Sequence, residues 1–362
     1  MSSRRLRGGA PEARSGGLTP DNQERGTAQP SLAARPEPRE AGKFIGLLDL
    51  RSATLVGAIV LLFAVLAVLR PDFFAAANLV NLVVKIAPLV VAVVGMTGVI
   101  LCRHIDISIG AIFSWCGLVG ALLAAQGLPA PLAVVAAVTL GAALGGINAL
   151  LVAGLRLPSI VATLATMVVL DESLRWWRAG AAVRNLPEQV QWLGLGQDAG
   201  RLAIVLVAAA VLTVGWIVYH RLAVGRAVYA VGCDAEAARL VGLSPRRIEA
   251  GVFIAMGALA GLAAMLTALQ FRTVQANEGR GLELAVIAAA VVGGVSINGG
   301  RGAVLGAAAG TILLATLGPA LVWLRLDAYW ERALQGLVIL VAVAGDRAGD
   351  SLGAKNRGGR SG

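Results

Sequence analysis

The chain has 362 residues, of which 57% are hydrophobic and only 14% are charged, and its mean hydropathy is +0.77. Because soluble domains carry about 25% charged residues, this composition excludes a soluble globular protein and indicates a polytopic membrane protein. The formal net charge is +10, but the basic residues lie mostly in tails and loops, with few aromatic residues to stack bases. This distribution favours orientation in lipid, and we expect no nucleic-acid binding.

The chain divides into three predicted regions. Residues 1–50 are rich in Arg, Gly, Pro and Glu and lack apolar periodicity or a hydrophobic signal segment, so they predict a disordered, basic cytoplasmic tail. Residues 51–345 are mainly apolar and predict the transmembrane domain. Residues 346–362 are polar and basic again and predict a second disordered cytoplasmic tail.

Apolar segments of a length that crosses a bilayer repeat through the middle region. They cover residues 54–69, 78–101, 109–125, 131–153, 159–174, 202–219, 250–269, 284–297, 303–323 and 333–344. We therefore predict an all-α polytopic membrane protein with about ten transmembrane helices. Some of these helices should be interrupted, as by Pro88 within the second segment.

An even number of spans places both termini and the basic loop 220–249 on one side of the membrane. Short loops rich in Lys and Arg stay in the cytoplasm, so that side is predicted to be cytoplasmic. The opposite side then receives the connections 70–78, 126–130, 175–200, 271–283 and 324–330.

A polar break interrupts the apolar sequence after the second span. Arg103, His104 and Asp106 lie close together there, and Ser108 and Gly110 follow. Ionisable groups inside lipid cost several kcal/mol each unless they face protein, one another or water. We predict that these five residues belong to a transport pathway or to its structural hinge.

The same break does not predict a metal site or another cofactor. Cys102, His104 and Asp106 alternate, but the chain has only two histidines and three cysteines. These residues do not form the spacing of a closed metal site. We expect neither a metal nor a cofactor.

A second polar break is the glycine-rich run 293–302. Residues 105–113 can be aligned with residues 297–305, since both enter an apolar helix through a Gly-Ala pair. Duplicated halves are common in transporters, so the alignment predicts an internal duplication and adds Asn298, Gly299 and Gly300 to the candidate pathway or hinge. Asp106 and Asn298 have an alternative role as caps that satisfy backbone donors at helix starts.

The glycine-rich run lacks the Gly-Lys-Ser/Thr ending that holds nucleotide phosphates, so we do not expect the chain to hydrolyse ATP.

Loop 220–249 carries a more specific signal, which predicts a short helix. Asp234 is predicted to cap a short helix through Leu240, and Gly242 to end it. This helix is either a docking element for a soluble partner or an ordinary interfacial helix.

Residues 44–345 resemble the permease subunits of ABC importers of the ribose/branched-chain amino acid class. Five motifs in the family's order carry the resemblance: Gly95-Met96-Thr97 with Ile105-Asp106-Ile107-Ser108-Ile109-Gly110, Asn148, residues 158–164, residues 225–242 and residues 283–302. Two departures stand out. Arg103-His104 replaces the family's Gly-Gly pair and looks like the rhamnose and furanone-autoinducer branches, and Asp171-Glu172 stands where the family often has Arg-Gly.

The resemblance implies a monosaccharide importer in the bacterial inner membrane, with both termini cytoplasmic. Its implied partners are a separate ABC ATPase subunit, a periplasmic sugar-binding protein and a second permease subunit, identical or paralogous. The loops 175–200 and 271–283 would meet the binding protein. The ATPase-coupling helix would comprise Asp234, Ala235, Glu236, Ala237, Ala238, Arg239, Leu240 and Gly242.

Alternative functions remain. Within the same family, the alternative to a monosaccharide is a branched-chain amino acid or a nucleoside as the solute. A secondary transporter coupled to an ion gradient requires an embedded carboxylate, for which Asp106 and Glu283 are the candidates. A membrane-bound enzyme is not favoured, because the sequence offers no Ser/His/Asp set and the two histidines lie in different regions.

Overall fold

The computed structural model describes residues 39–184, 186–188, 190–327, 329–337 and 340, with side chains described from residue 54. From Ile45 onward these residues belong to one compact unit; of the other unit, Met1–Phe44, only residues 39–44 at the start of a helix are described. Residues 39–50 of the first predicted tail are helical, since α1 begins at Arg39. Residues 1–38 and 346–362 lie outside the described residues, and their disorder stays a prediction.

The described ranges contain eleven α-helices, a helical segment over residues 330–337 and no β-strand beyond one isolated bridge between Val183 and Val274. The all-α prediction is confirmed. The helices are α1 (Arg39–Leu69), α2 (Ala76–Leu101), α3 (Ile109–Ala125), α4 (Ala130–Ala149), α5 (Ser159–Arg178), α6 (Gln197–Arg221), α7 (Ala223–Cys233), α8 (Ala235–Leu240), α9 (Pro245–Ala268), α10 (Leu282–Val292) and α11 (Val304–Trp323).

Five helices are long and apolar enough to cross a membrane: α2, α4 with its π-helical extension to Gly154, α6, α9 and α11. Shorter apolar helices occupy residues 54–69, α3, α7 and α10. The chain is therefore a multi-pass membrane protein. The last predicted span, 333–344, extends beyond the described residues.

Helix α2 lies at the centre of the fold. Almost every residue from Val90 to Leu101 is buried, and the helix packs against α6, α9, α10 and α11. Pro88 is accommodated inside the helix, since neighbouring helices surround this part of α2. A helix that is apolar on all sides is expected in such a position.

Helices α4 and α9 pack most closely, through glycines. A Cβ atom on Gly141 would collide with the carbonyl oxygen of Gly257, and one on Gly145 with the carbonyl oxygen of Phe253. Without a strong hydrophobic force between helices in lipid, such close backbone contact supplies the van der Waals attraction.

Several helix boundaries differ from the sequence prediction, among them the start of α1 at Arg39 rather than at residue 54. The loop predicted over 220–249 contains α7, because Val228 and Val231 are buried against the rest of the fold. The span predicted over 284–297 is helical only to Val292, since Gly294 adopts φ +87° and turns the chain out of the helix.

Candidate functional site

Three segments that are distant in sequence meet at one end of the bundle. They are residues 101–103 at the end of α2, residues 229–233 at the end of α7, and residues 298–302 between α10 and α11; we call this contact the junction. The Gly300 amide donates to the Leu101 carbonyl at 2.9 Å, and the Tyr229 hydroxyl donates to the Gly302 carbonyl at 2.7 Å. The junction thus joins the end of α2 to the α10–α11 connection and to α7.

Arg103 connects all three segments of the junction. Its Nε donates to the Asn298 carbonyl at 2.8 Å, and its Nη2 donates to the Cys233 carbonyl at 2.6 Å. Cys233 is the last residue of α7, where the helix dipole and a free carbonyl favour a cation. The two bonds hold one guanidinium between the carbonyls of Cys233 and Asn298, which are 65 positions apart in the sequence.

The backbone of Arg103 has φ +67°, a left-handed conformation that glycine adopts more readily than arginine. This explains why a Gly-Gly pair suits the same positions in the family that the sequence resembles. An arginine here carries a conformational cost of order 1 kcal/mol or more, which the two charge-assisted hydrogen bonds offset.

Glycines bring the three backbones of the junction together. A Cβ atom on Gly232 would collide with the Leu101 carbonyl oxygen and lie 2.8 Å from the Gly300 nitrogen. Gly299 and Gly300 have φ of +75° and +67°. Asn298 contributes its main-chain carbonyl, and its own amide donates to the Ser296 hydroxyl at 3.3 Å.

A second group of the predicted residues forms a fully buried polar cluster beside the junction. The Asp106 carboxylate accepts bonds from the Ser108 amide at 2.9 Å and the Ser108 hydroxyl at 2.6 Å. Nδ2 of Asn148 in α4 lies 3.2 Å and 3.3 Å from the two carboxylate oxygens and 2.7 Å from the Ser108 hydroxyl. All three residues have 0% exposure, so the carboxylate is held by protein donors at the entrance to α3.

The first turn of α5 completes the support of this break. The Ile107 amide donates to the Thr163 hydroxyl at 3.1 Å, and the Ile105 amide donates to the Ser159 hydroxyl at 3.4 Å. Backbone without helical partners is costly in a membrane protein interior. Side chains from α4 and α5 therefore replace the missing helical hydrogen bonds.

The other predicted residues of the break face different elements. His104 lies against α9, with Nε2 3.9 Å from Glu249 Oε1 and its ring 5.7 Å from that of Phe253. Gly110 contacts the segment before α10, because a Cβ atom there would collide with the Gly279 carbonyl and the Glu283 carboxylate.

Helix α8 forms where the sequence predicts a short capped helix, and its ATPase-coupling role stays a prediction. The Asp234 carboxylate accepts bonds from the amides of Glu236 at 2.8 Å and Ala237 at 3.0 Å, and Gly242 follows the helix with φ +83°. The bonds from Ala237 and Glu236 hold the pKa of the Asp234 carboxyl below its ordinary value of 3.8, and the charge of Arg103 acts in the same direction. Asp234 is thus both a helix cap and a neighbour of the junction.

The outer face of α8 combines charge with apolar surface. Glu236 and Arg239 are exposed, and Leu240 and Val241 are 87% and 76% exposed. Ala238 faces inward and is buried. Exposed apolar residues with charged neighbours are typical of a protein-interaction site.

Comparison with known proteins identifies the chain. The model of the family described as branched-chain amino acid transport system / permease component matches residues 78–343. The chain belongs to this permease family. The resemblance seen in the motifs is therefore confirmed over residues 78–343.

Several curated relatives align over most of the permease. The ribose import permease protein RbsC of Escherichia coli strain K12 is 33% identical over 293 residues, which are 80% of this chain and 91% of that protein. RbsC of Haemophilus influenzae is 31% identical with the same coverage. The autoinducer 2 import system permease protein LsrC of Escherichia coli strain K12 / DH10B is 35% identical over 301 residues, 82% of this chain and 86% of that protein. No solved structure matches the permease.

The structure of the permease adds residues that sequence reasoning did not place in the site. Asn148 and Thr163 lie in motifs of the resemblance, but only the fold shows that they bind the polar break. Tyr229, Gly232 and the Cys233 carbonyl lie in α7, a region that the sequence analysis predicted to be a loop. Their signal was the spacing of Val228 and Val231 on one face of a helix.

Proposed function

We propose that this permease is the membrane subunit of an ABC importer that carries a monosaccharide or a sugar-like autoinducer, driven by a separate ATPase subunit. The relatives named for ribose and autoinducer 2 import support the solute class. The observation that carries the proposal is the Arg103 connection, because it links a surface helix suited to docking with the ends of membrane helices.

Docking of the ATPase would use α8. The helix presents Glu236, Arg239, Leu240 and Val241 to solvent and is fixed at its start by the Asp234 cap. An apolar anchor surrounded by charges gives a partner both affinity and orientation. A capped helix transmits a displacement by the ATPase to the adjoining α7 more directly than a flexible loop would.

Motion would then pass from α8 through the junction to the bundle. Helix α7 joins α8 through Asp234, and its last carbonyl is bonded to Arg103 at the end of α2. Arg103 and Gly300 also connect α2 to the start of α11. A displacement of α8 would therefore shift α2 and α11 together, which is the rigid-body motion that alternating access requires.

The remaining partners are those that membership of the permease family suggests. The junction, α8 and both termini would lie on the cytoplasmic side of the bacterial inner membrane. A periplasmic binding protein would deliver solute to the opposite loops, and a second permease subunit, identical or paralogous, would complete the pathway. Because the family description names branched-chain amino acids, an amino acid is the alternative solute.

The test is reconstitution of the permease in proteoliposomes with its ATPase and binding protein. Uptake of D-ribose, L-rhamnose, L-leucine and adenosine is measured with ATP inside and with ionophores that collapse ion gradients. We expect ATP-dependent sugar uptake that survives the ionophores. Uptake of leucine alone would favour the alternative solute, and loss of uptake with the ion gradient would favour a secondary transporter.

A further inference from the structure

The chain between α9 and α10 turns back into the membrane. Residues 270–274 lie beside the outer loop, with Val183 and Val274 exchanging backbone hydrogen bonds at 2.9 Å. Further along, the Gly279 amide donates to the Ser114 hydroxyl at 3.0 Å. Ser114 lies 11 residues before the end of α3 at Ala125 (125 − 114), a depth of about 16 Å at the helical rise.

A bilayer's hydrocarbon core is about 30 Å thick, so Gly279 lies near its middle. The sequence prediction treated 271–283 as an outer loop, whereas residues 275–281 form a re-entrant segment. Helix α10 starts only at Leu282 and has 11 residues, which is half the length of a full span. Non-helical backbone at this depth occurs where it is buried in protein or lines a polar cavity.

The re-entrant segment is buried in protein at Gly279, and it also lines a polar cavity. Its amides at Gly279 and Gly281 are bonded to Ser114 and to the Glu283 carboxylate, the latter at 3.1 Å. On its other side lies a cavity of ≈ 590 Å³, a volume within the range of about 300–1,000 Å³ of small-molecule sites. Glu278, Arg280 and Gly281 line this cavity.

The lining of the cavity is partly apolar and partly charged. Leu89 and Val93 of α2, Ala285 of α10, and Leu314 of α11 belong to the apolar part of the lining. The charged part of the lining carries acidic and basic groups together. These are Asp327, Glu331 and Arg332, which join Glu278 and Arg280 of the re-entrant segment.

We propose that this cavity is the membrane binding site for a small, neutral, polyhydroxylated solute, one in each permease subunit. Three carboxylates and two guanidinium groups offer acceptors and donors without a strong field of one sign, which suits hydroxyl groups better than an ion. The apolar wall suits the C–H face of a sugar ring. This inference rests on the proposed function and specifies where the solute binds.

The position of the cavity connects it to the junction. Helices α2, α10 and α11 form its walls, and the same helices end or begin at residues 101 and 293–304. Binding sites built from interrupted helices near the membrane midplane are common in transporters. A movement of the junction would therefore move the helices that line the cavity and change its shape. In this way the ATPase would control solute binding in the cavity.

The test compares Ala285→Leu, which fills the cavity, with Ala210→Leu on an exposed position of α6. Both are assembled into the complete importer, and maximal uptake of D-ribose and L-rhamnose is measured at saturating binding protein, together with ATP hydrolysis. We expect Ala285→Leu to lower maximal uptake about tenfold and to leave ATP hydrolysis within about twofold. Ala210→Leu should retain both activities.

A second measurement avoids the question of folding. Ala285→Cys is labelled from outside with a membrane-impermeant maleimide, against a parent whose Cys102 and Cys116 are buried and whose Cys233 lies at the junction end. We expect the transported sugar to slow labelling about fivefold.

Each outcome is decisive. Normal uptake by Ala285→Leu, a parallel loss of uptake and ATP hydrolysis, or labelling of Ala285→Cys that sugar does not slow overturns the cavity as the binding site. If the unmodified importer carries neither sugar, the proposed function itself fails, and the cavity inference fails with it.

Discussion

The Nη2 atom of Arg103 donates a 2.6 Å hydrogen bond to the main-chain carbonyl of Cys233, although the two residues are separated by 130 positions. Arg103 lies two residues beyond the end of the central helix α2, and Cys233 is the last residue of the helix that leads into α8. Through Nε, the same guanidinium also binds the Asn298 carbonyl. The function that we propose for the permease requires this connection to transmit motion from α8 to α2.

Arg103→Gly tests that connection with little backbone strain, because glycine readily adopts φ +67°. We expect the variant to insert and to bind the ATPase, but to lower sugar uptake about tenfold relative to ATP hydrolysis. Arg156→Gly is the matched control, since Arg156 is an exposed arginine at φ +59° outside the junction. Equal ratios of uptake to hydrolysis in the two variants would remove Arg103 from the coupling path.

The buried cluster predicts a loss of stability. Asn148→Ala removes the amide that binds both Asp106 oxygens and leaves the buried carboxylate with fewer donors. Leaving a buried polar group short of a partner costs about 1–3 kcal/mol, so we expect a lower midpoint of thermal unfolding in detergent. Thr139→Ala, at an exposed position of the same helix, should leave that midpoint unchanged. A midpoint for Asn148→Ala that equals the control's would contradict the structural role of this cluster.

The face of α8 predicts which residues bind the ATPase. Replacing Glu236 and Arg239 together by alanine should weaken ATPase association without blocking membrane insertion. Leu240→Asp should weaken it further, by about tenfold, because Leu240 is 87% exposed and is the largest apolar group on this face. Co-purification with the ATPase measures both effects. Leu195→Asp, an exposed leucine of an outer loop, serves as the control and should co-purify normally.

The Asp234 cap predicts a specific pH dependence. Its pKa in the folded protein is lowered by the amides of Ala237 and Glu236, so the charged form stabilises α8 fully above the ordinary value of 3.8 and loses this effect as the pH falls through the lower, folded value. Because the carboxylate stays charged throughout this range, the titration of Asp234 should cause no change in ATPase association between about pH 5 and 8. Asp234→Asn keeps a capping oxygen and should bind the ATPase, whereas Asp234→Ala should bind it weakly over this whole range. Equal binding by the two variants would argue against the cap.

The glycine contact between α4 and α9 predicts sensitivity to one added side chain. Gly257→Val places Cβ against the carbonyl of Gly141, and we expect the helices to separate and the protein to aggregate in detergent. Gly251→Val on the same helix has open space around its Cβ position and should remain monodisperse. Size-exclusion chromatography distinguishes the two results. A monodisperse Gly257→Val protein would show that α4 and α9 tolerate a wider separation.

Much of the fold could be predicted because lipid imposes simple rules. Apolar segments of sufficient length must be helical, and the predicted segments 78–101, 131–153 and 303–323 agree closely with α2, α4 and α11. The cap at Asp234 and the end of α8 near Gly242 were also predictable, because capping depends on neighbouring residues alone. The helical state of 223–233 was not, because its stability comes from burial of Val228 and Val231.

The sequence by itself determined that this is a multi-pass helical membrane protein, that polar breaks interrupt its helices, and which permease family it belongs to. Only the tertiary structure decided that Arg103 binds α7, that Asn148 holds Asp106, and that Gly279 binds Ser114 of α3. The reason is physical. Helix formation and capping depend on neighbouring residues and on the solvent, whereas these contacts join residues 42 to 165 positions apart, which only the packing of the helices brings together.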